Sequence, residues 1–344
     1  MERCLELARN GAGSVAPNPM VGSVLVHEGR IIGEGYHQKY GGPHAEPNCI
    51  NSVKEEDQPF ISHSTLYVSL EPCAHFGKTP PCADLIIAKK IPHVVIGCRD
   101  PFEAVNGRGI DKLVAAGINV ETAVLEKESI KLNKRFFTFH LKKRPYIILK
   151  WAQTKDKFIA SGSDERLLIS NDYSNRLVHQ WRSQEANILV GTNTALKDNP
   201  ELSNRYWKGN SPARLVIDLN LRLPSSLKLF NGEPTIVFNY SKNDQHANVK
   251  YVKIESGISV IQSILSALYE LKIQSVLVEG GAQLLNSFIK EDCWDEARII
   301  TNRNLTIGTG LAAPVLNSTT TSDNMELESD VIETYLNPAH QLTI

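Results

Sequence analysis

Short apolar runs alternate with amphipathic stretches throughout the first half of the chain. Runs rich in β-branched residues predict a hairpin and then three further strands, at Val21–Val26, Ile31–Gly35, Thr65–Ser69, His93–Gly97 and Ile118–Val120. Amphipathic stretches predict helices that begin at His44 and at Cys82, lie near Gly109–Ala116, and run through Lys142. This alternation indicates a mixed sheet flanked by helices.

The alternation restarts after the charged run His140–Pro145, which ends in proline and is typical of a linker. We therefore predict two domains, residues 1–143 and 144–344. Strands are expected at Tyr146–Trp151, Asn187–Val190, Arg214–Asp218, Thr235–Asn239, Val249–Ile254 and from Ser275. Helices are expected at Asn171–Ser183, at T-N-T-A-L-K-D and at Val260–Leu271. Both domains are thus assigned to the α/β class.

Composition and charge narrow the classes of function. The 344 residues carry a formal net charge of -1 and no basic block, which argues against a nucleic-acid substrate. No apolar stretch reaches the length of a membrane span, and the six cysteines are too sparse for a disulfide framework. We expect a cytoplasmic enzyme with a small-molecule substrate and neither a nucleic-acid nor a membrane partner.

The candidate chemistry lies between Gly41 and Cys82. His44 and Glu46 form an H-x-E motif, and Cys73 follows a proline after a predicted strand. Zinc deaminases hold their metal with one His and two Cys and move protons with a Glu. Zinc with three protein ligands keeps a fourth position for water and lowers the pKa of that water to about 7. The sequence predicts a hydrolytic deaminase with one zinc ion, bound by His44, Cys73 and Cys82.

Prolines place these residues at helix starts. Pro47 is tolerated in a first helical turn, whose N–H groups have no intrahelical partner, and Pro80-Pro81 precede Cys82 in the same way. Each motif by itself is more often structural, and the general pattern is P-C-x-x-C, whereas eight residues separate Cys73 from Cys82. Either Cys82 is not the third ligand, or the loop is enlarged to contact substrate.

A second candidate site follows the strand Ser275–Val278. Glu279-Gly280-Gly281 then leads into a predicted helix, where backbone N–H groups can approach a phosphate. A plain turn explains the glycine pair equally well.

Several long motifs resemble one family. H-A-E with E-P-C-A-H-F-G-K-T-P-P-C, A-P-N-P-M-V-G from Ala16, and G-Y-H from Gly35 resemble the deaminase half of the bifunctional riboflavin-biosynthesis deaminase/reductases. K-W-A-Q from Lys150, I-L-V-G-T-N-T-A-L-K-D-N-P-E-L and V-E-G-G-A-Q-L-L resemble its reductase half. The resemblance implies a cytidine-deaminase-like three-layer α/β/α domain followed by a dihydrofolate-reductase-like α/β domain that uses NADPH. In this family, a long spacing between the two cysteines is usual, so the resemblance implies that Cys82 is the third ligand.

The resemblance implies a role for further residues. In the deaminase half, four would contact substrate: Asn18, His37, His75 and Asp100. By residue type alone, Asn18 would be a turn residue and the two histidines ordinary surface residues. One departure stands here, because Phe102 replaces the asparagine of the family's D-P-N-P.

In the reductase half, the implied NADP contacts are Ala152, Thr194, Asp198, Gly281, Ala282, Gln283, Leu284, Leu285, Asn286 and Ser287. The implied contacts with the phosphorylated substrate are Arg182, Leu202, Arg205 and Glu279, and Lys150 and Asp198 are candidates to position or polarise groups near C1′. By residue type alone, Arg182 is a solvated charge and Arg205 a loop cation. Lys157 replaces the glycine of an Asp-Gly pair, where glycine would permit a positive φ or a close cofactor approach.

The resemblance thus implies removal of an amino group from a phosphorylated diaminopyrimidine, then NADPH-dependent reduction of its ribosyl group to ribityl. It also implies a homodimer or higher homo-oligomer. Two rivals remain. One is a deaminase of a nucleoside, base or RNA with an unrelated or degenerate nucleotide-binding C-terminal domain. The other is a non-catalytic protein with structural zinc.

Overall fold

The computed structural model describes residues 1–77, 80–162, 167–317 and 319–342. The chain divides into two compact units: the N-terminal unit ends at Lys142 and the C-terminal unit begins at Lys143. Within the described ranges, no helix has both the length and the apolar composition that crossing a membrane requires.

Among its described residues, the N-terminal unit contains one five-stranded sheet and six α-helices. Its strands are β1 Gly22–His27, β2 Arg30–Tyr36, β3 Thr65–Leu70, β4 His93–Cys98 and β5 Asn119–Glu121. Its helices are α1 Glu2–Arg9, α2 Ala45–Asn51, α3 Cys82–Ala88, α4 Arg108–Ala115, α5 Glu126–Leu132 and α6 Lys134–Lys142, and a 3-10 segment covers Glu55–His63.

The strand order in this sheet is β2-β1-β3-β4-β5. The hairpin β1–β2 is antiparallel and β1 is antiparallel to β3, whereas β3, β4 and β5 run parallel. Adjacent residues of a strand face opposite sides of the sheet. Leu25 packs with Ile50 of α2 and Ile86 of α3, while its neighbour Val24 packs with Leu7 of α1. Helices therefore cover both faces, which gives three layers.

The C-terminal unit is built on a larger sheet. Its strands are β6 Tyr146–Thr154, β7 Phe158–Ser161, β8 Asn187–Gly191, β9 Ala213–Ile217, β10 Thr235–Asn239, β11 Asp244–His246, β12 Val249–Lys253, β13 Ser275–Val278, β14 Glu296–Asn302, β15 Gly310–Ala312, β16 Thr320–Leu327 and β17 Asp330–Leu336. Its α-helices are α7 Asp172–Gln184, α8 Thr192–Asp198, α9 Val260–Glu270 and α10 Ala282–Lys290, with 3-10 turns at Lys228–Phe230 and Pro338–His340.

Ten of these strands form one sheet in the order β11-β12-β10-β9-β8-β13-β6-β14-β17-β16, and β7 pairs with β15 separately. The central strands from β12 to β14 are parallel. Strand β6 again separates two cores: Ile147 packs with Phe288 of α10, whereas Ile148 packs with Trp181 of α7. The α/β class predicted for both domains is therefore confirmed.

The structure departs from the predicted elements in two ways: one predicted helix is divided, and several strands were not predicted. The helix expected to run through Lys142 is two helices, because Asn133 interrupts it. The Asn133 side chain accepts from Met20 N at 2.8 Å and donates to Met20 O at 2.9 Å, which ties this break to the start of β1. Six strands of the C-terminal unit were also missed: β7, β11, β14, β15, β16 and β17. Strand β16, for example, is polar and almost wholly exposed, so it has no apolar alternation to detect.

Candidate active sites

A histidine and two cysteines converge in the N-terminal unit. His44 is the N-cap of α2, and Cys82 is the first residue of α3. Cys73 lies in the segment after β3, and its Sγ accepts from Cys82 N at 3.4 Å. The ligand atoms of His44, Cys73 and Cys82 all lie within 4.8 Å of one another. Two helix starts thus meet at one point, as the prolines indicate.

The spacing of the donor atoms suits a zinc ion. His44 Nδ1 lies 3.6 Å from Cys73 Sγ and 3.4 Å from Cys82 Sγ. A tetrahedral zinc with ordinary Zn–N and Zn–S bonds separates such atoms by about 3.6 Å. One imidazole and two thiolates are also the donor set that zinc prefers. The three residues therefore fit a bound zinc with a fourth position left for water.

Because the two thiols lie close together, their pKa values shift in opposite directions. Contact with Cys82 lowers the pKa of Cys73 to about 4, while Cys73 and burial raise the pKa of Cys82. Contact with Cys73 raises the pKa of His44. The lowered pKa of Cys73 favours its thiolate, which is the form that binds metal.

Glu46 lies in the first turn of α2, two residues from His44, and only 3% of its surface is exposed. Burial raises the pKa of Glu46 to about 7, an effect that nearby His44 opposes and Cys73 reinforces. A carboxyl group with a pKa near 7 can both accept and return a proton at neutral pH. Its position and protonation suit the proton carrier that the sequence predicts.

Asn18 and His37 lie together beside this cluster. His37 is buried, its Nδ1 lies 2.9 Å from Pro43 O, and its Nε2 lies 3.0 Å from Asn18 Nδ2. These partners fix the neutral tautomer, with Nδ1 donating to the carbonyl and Nε2 accepting from the amide. Burial also lowers the pKa of His37. The His37 and His44 rings meet edge to face at 5.3 Å, so His37 is not an ordinary surface residue. Asn18 N donates to Val15 O at 2.8 Å, as in a turn, while its side chain contacts His37.

Asp100 follows the carboxyl end of β4, and burial raises its pKa to about 7. Its Oδ1 accepts from Phe102 N at 2.7 Å. The Phe102 ring lies 6.0 Å from His75 and 5.0 Å from His140. His75 Nδ1 is buried and has no hydrogen-bond partner among the described residues. Residues 78 and 79 of the same loop lie outside the described ranges.

Sequence reasoning missed one residue here. Glu71, the first residue of the E-P-C motif, is buried and accepts hydrogen bonds from the backbone N–H groups of Asp100, Gly107 and Gly109. The available signal was a carboxylate placed directly after an apolar strand.

The C-terminal unit brings three predicted residues together. Arg182 Nε and Nη2 donate to the two oxygens of Glu279 at 2.9 and 2.8 Å, and Lys150 Nζ lies 3.8 Å from Glu279 Oε2. Only 10–13% of each side chain is exposed, so Arg182 is not a solvated charge. Burial by itself raises the pKa of Glu279, but the charges of Arg182 and Lys150 outweigh it and lower that pKa to about 2.

His179 borders this cluster and was not predicted. It lies one helical turn before Arg182 on α7, and its Nδ1 accepts from Arg205 N at 2.9 Å. Burial and the charges of Arg182 and Arg205 lower the pKa of His179 to about 4, so the ring is neutral at pH 7. Leu202, three residues before Arg205, is buried and has a φ of +56°. The Arg205 guanidinium is exposed and pairs with Glu201 at 2.8 Å.

The predicted cofactor segment begins at Gly281, the N-cap of α10. Its N–H donates to Thr194 Oγ1 at 3.0 Å, which joins the two predicted cofactor segments. Gly281 has an ordinary φ of -67°, and a Cβ at Gly280 would lie 2.7 Å from Leu284 Cδ2. The glycine pair therefore serves close packing rather than a positive φ.

The other predicted cofactor residues differ in exposure. Ala282, Leu284 and Leu285 are buried, so their side chains are not open to a ligand, whereas Gln283, Asn286 and Asp198 are exposed and Ala152 and Ser287 are half-buried. Asp198 ends α8, while Lys150 faces Glu279.

Lys157 has φ +66°, a conformation that glycine adopts without cost. The neighbouring Asp156 carboxylate accepts from Thr154 Oγ1 at 2.6 Å and from Gly308 N at 2.8 Å. The hydrogen bonds of Asp156 thus fix the turn that contains Lys157. Because lysine stands there in place of the family's glycine, the positive φ introduces backbone strain.

Comparison with known proteins covers both units. Residues 1–98 match the model of the cytidine and deoxycytidylate deaminase zinc-binding region, and residues 145–337 match the model of the RibD C-terminal domain. The chain is 38% identical over 343 residues to the riboflavin biosynthesis protein RibD of Aquifex aeolicus, which spans 97% of this chain and 94% of that protein. It is 32% identical over 314 residues to the Escherichia coli RibD, spanning 86% and 84% of the two chains.

A solved structure shows the same arrangement of elements. The diaminohydroxyphosphoribosylaminopyrimidine deaminase/5-amino-6-(5-phosphoribosylamino)uracil reductase of Thermotoga maritima superimposes with a TM-score of 0.88 at 37% identity, covering 98% of this chain and 97% of that one. Because these similarities extend through both halves, the rival with an unrelated C-terminal domain is not favoured.

Proposed function

Because the chain belongs to the RibD family of riboflavin-biosynthesis deaminase/reductases, we propose that its two halves catalyse successive steps on one phosphorylated pyrimidine. Residues 1–143 would deaminate the diaminohydroxyphosphoribosylaminopyrimidine. Residues 144–344 would reduce 5-amino-6-(5-phosphoribosylamino)uracil, converting its ribosyl group to ribityl. The observation that carries the proposal is the convergence of His44, Cys73 and Cys82 beside the buried Glu46.

For the first reaction, His44, Cys73 and Cys82 would hold one zinc ion. Bound zinc supplies a Lewis acid that makes water nucleophilic at neutral pH. Glu46 would take one proton from the attacking water and give it to the ring nitrogen, and would then take the second proton from the hydroxyl group on the carbon and give it to the amine as the C–N bond breaks. Its pKa of about 7 suits both directions of transfer.

Substrate binding in this half falls to four residues: Asn18, His37, His75 and Asp100. His37 is held by Asn18 and Pro43, so it presents a fixed neutral ring. The Nδ1 of His75, which has no hydrogen-bond partner in the part of the chain that the structure describes, would bond to the substrate.

For the second reaction, bound NADPH would supply a hydride to C1′ of the opened sugar. The cofactor would be bound by Thr194 and Gly281, together with Ala152, Asp198 and residues 282–287. Because the side chains of Leu284 and Leu285 are buried, these two residues would contact the cofactor through their main-chain atoms. Glu279, Arg182, Arg205 and Leu202 would position the substrate. Lys150 lies within 3.8 Å of Glu279 and would orient the reacting carbon, with Asp198 as the second candidate.

We further propose that the protein works in the cytoplasm as a homodimer or higher homo-oligomer and has no nucleic-acid partner. Six free cysteines and a net charge of -1 support the compartment and the small-molecule substrate. Light scattering at micromolar concentration tests the assembly, since a monomer would contradict it.

The function is tested by a two-step assay on zinc-replete protein. The diaminopyrimidine ribotide is supplied first alone and then with NADPH, and ammonia release and NADPH absorbance are followed separately. Ammonia release followed by NADPH consumption is expected. Ammonia release alone would contradict the reductase assignment, and neither signal would contradict the function as a whole.

A further inference from the structure

Glu71 is a buried carboxylate that is surrounded by backbone N–H groups. Only 4% of its surface is exposed. It accepts hydrogen bonds from Gly107 N at 2.9 Å, Gly109 N at 3.0 Å and Asp100 N at 3.2 Å, and a longer one from Ile110 N at 3.4 Å. It has no ion-pair partner among the described residues, so these four N–H groups compensate its burial.

The residue connects two segments of the N-terminal unit. Glu71 follows β3 directly, its own N–H donates to Cys98 O at 3.0 Å, and Pro72 and Cys73 come next. The four donors all lie between residues 100 and 110, in the segment after β4 and the start of α4. The approach is close, because a Cβ at Gly109 would lie 1.9 Å from Pro72 O. One carboxylate thus fastens the segment after β4 to the segment that carries Cys73.

The fastened segment carries residues that border the candidate deaminase site. Asp100 donates its N–H to Glu71 and accepts from Phe102 N at 2.7 Å. The Phe102 ring in turn lies 6.0 Å from His75, on the loop that follows Cys73. A displacement of the segment would therefore move Asp100 and change the packing of His75.

We propose that Glu71 is a positioning residue for deamination, which holds Asp100 and Phe102 against the segment that bears Cys73. This inference rests on the proposed deaminase function. A carboxylate offers four lone pairs to four N–H groups, whereas an amide offers two and turns its own N–H groups toward the donors. Glu71→Gln therefore leaves backbone donors unpaired and frees the segment between residues 100 and 110.

The test compares Glu71→Gln with Asp57→Asn. Asp57 lies on the 3-10 segment and is also a buried carboxylate of this unit. Its partner, however, is the Arg30 guanidinium, from which it accepts hydrogen bonds at 2.6 and 2.9 Å. Three quantities are measured for each variant: zinc content, kcat and KM for ammonia release, and amide hydrogen exchange in residues 100–110. NADPH consumption with the deaminated substrate serves as the internal control.

For Glu71→Gln we expect KM for deamination to rise at least about tenfold, with faster exchange at Asp100, Gly107 and Gly109 and wild-type zinc and reductase activity. Asp57→Asn should leave KM and that exchange unchanged, even if less protein is folded. A merely structural role predicts fewer active molecules, so kcat falls while KM stays at the wild-type value. That result, or unchanged exchange, would overturn the proposal.

If Glu71→Gln does not fold, Glu71→Asp decides in the same way, since it keeps the four lone pairs but is one methylene shorter. A smaller rise in KM supports the proposal, and an unchanged KM contradicts it. If the wild-type protein releases no ammonia, the proposed function has failed. The exchange rates at Asp100, Gly107 and Gly109 then still test whether Glu71 fastens this segment.

Discussion

The Arg182 guanidinium and the Glu279 carboxylate form a paired hydrogen bond at 2.9 and 2.8 Å, with both side chains almost completely buried. The two residues lie 97 positions apart, on α7 and directly after β13. Lys150 on β6 completes the cluster at 3.8 Å. Three elements of the parallel sheet region are thus linked by one carboxylate at the candidate reductase site.

We expect Glu279→Gln to destabilise the C-terminal unit by about 3 kcal/mol at pH 7, because it leaves two buried cations without their partner. The pKa of Glu279 is lower in the folded protein, at about 2, than its unfolded value of about 4.3. The carboxylate therefore stabilises the fold above pH 4.3, and this contribution is lost as the pH falls toward 2. The difference between wild type and variant should shrink over that range.

Urea unfolding followed by tryptophan fluorescence measures this, because all four tryptophans lie in the C-terminal unit. Glu326→Gln is the control: Glu326 pairs with Arg303 at 2.6 Å but both side chains are exposed, so the variant should unfold at nearly the same urea concentration as the wild type. A difference for Glu279→Gln that stays constant from pH 7 to pH 3 would contradict the account.

Lys157→Gly should stabilise the C-terminal unit by about 1 kcal/mol, because it removes the strain of a side chain at φ +66°. The neighbouring Lys155 is not at a positive φ, so Lys155→Gly should give no gain. Urea unfolding followed by tryptophan fluorescence measures the stability of both variants, and a stability of Lys157→Gly no higher than that of the wild type would contradict the strain. If the Lys157 ammonium also contacts the 2′-phosphate of NADPH, Lys157→Gly will lower the affinity for NADPH but not the affinity for NADH, which lacks that phosphate.

Phe102→Asn should lower kcat/KM for deamination several-fold, since an aromatic contact of this kind contributes about 0.5–1.5 kcal/mol. The Phe102 ring contacts both His75 and His140, and an amide side chain would lose both ring contacts. Phe60→Asn is the matched control, because Phe60 stacks on His27 at 4.6 Å elsewhere in the same unit. Higher deaminase activity in Phe102→Asn would show that the family's asparagine makes the better contact.

Cys82→Ala should abolish zinc binding and ammonia release, since two ligands cannot hold the ion tightly. Cys98→Ala should retain zinc, because Cys98 is equally buried but its Sγ donates to Ser69 O outside the metal cluster. Zinc content by elemental analysis measures both. Full zinc occupancy in Cys82→Ala would show that another residue is the third ligand.

Apolar periodicity was sufficient to place the central elements of both units. The hairpin β1–β2 and the strands β3, β4, β8 and β10 lie within a residue or two of the predicted bounds, because each contributes residues to a buried core and is bounded by turn residues. Periodicity could not place β16, whose stability comes from pairing with β17 rather than from an apolar face. Nor could it show that Asn133 breaks a helix in order to bond to Met20.

The metal cluster could be predicted because its residue types are rare in that order and its prolines fix the helix starts. Glu71 could not, because its role depends on four backbone N–H groups that are about 30 to 40 residues away in sequence. The same holds for His179, whose neutral state follows from burial beside Arg182 and Arg205. Contacts between segments that are distant in sequence leave no periodic signal.

The central claim, that a zinc centre and Glu46 deaminate the substrate, is tested most directly by Glu46→Gln. Glutamine keeps the size of the side chain but cannot carry a proton between water and the leaving amine. We predict wild-type zinc content and wild-type NADPH consumption with the deaminated substrate, but a loss of ammonia release of at least about a hundredfold. Ammonia release at the wild-type rate would contradict the claim and leave the zinc site with a structural role.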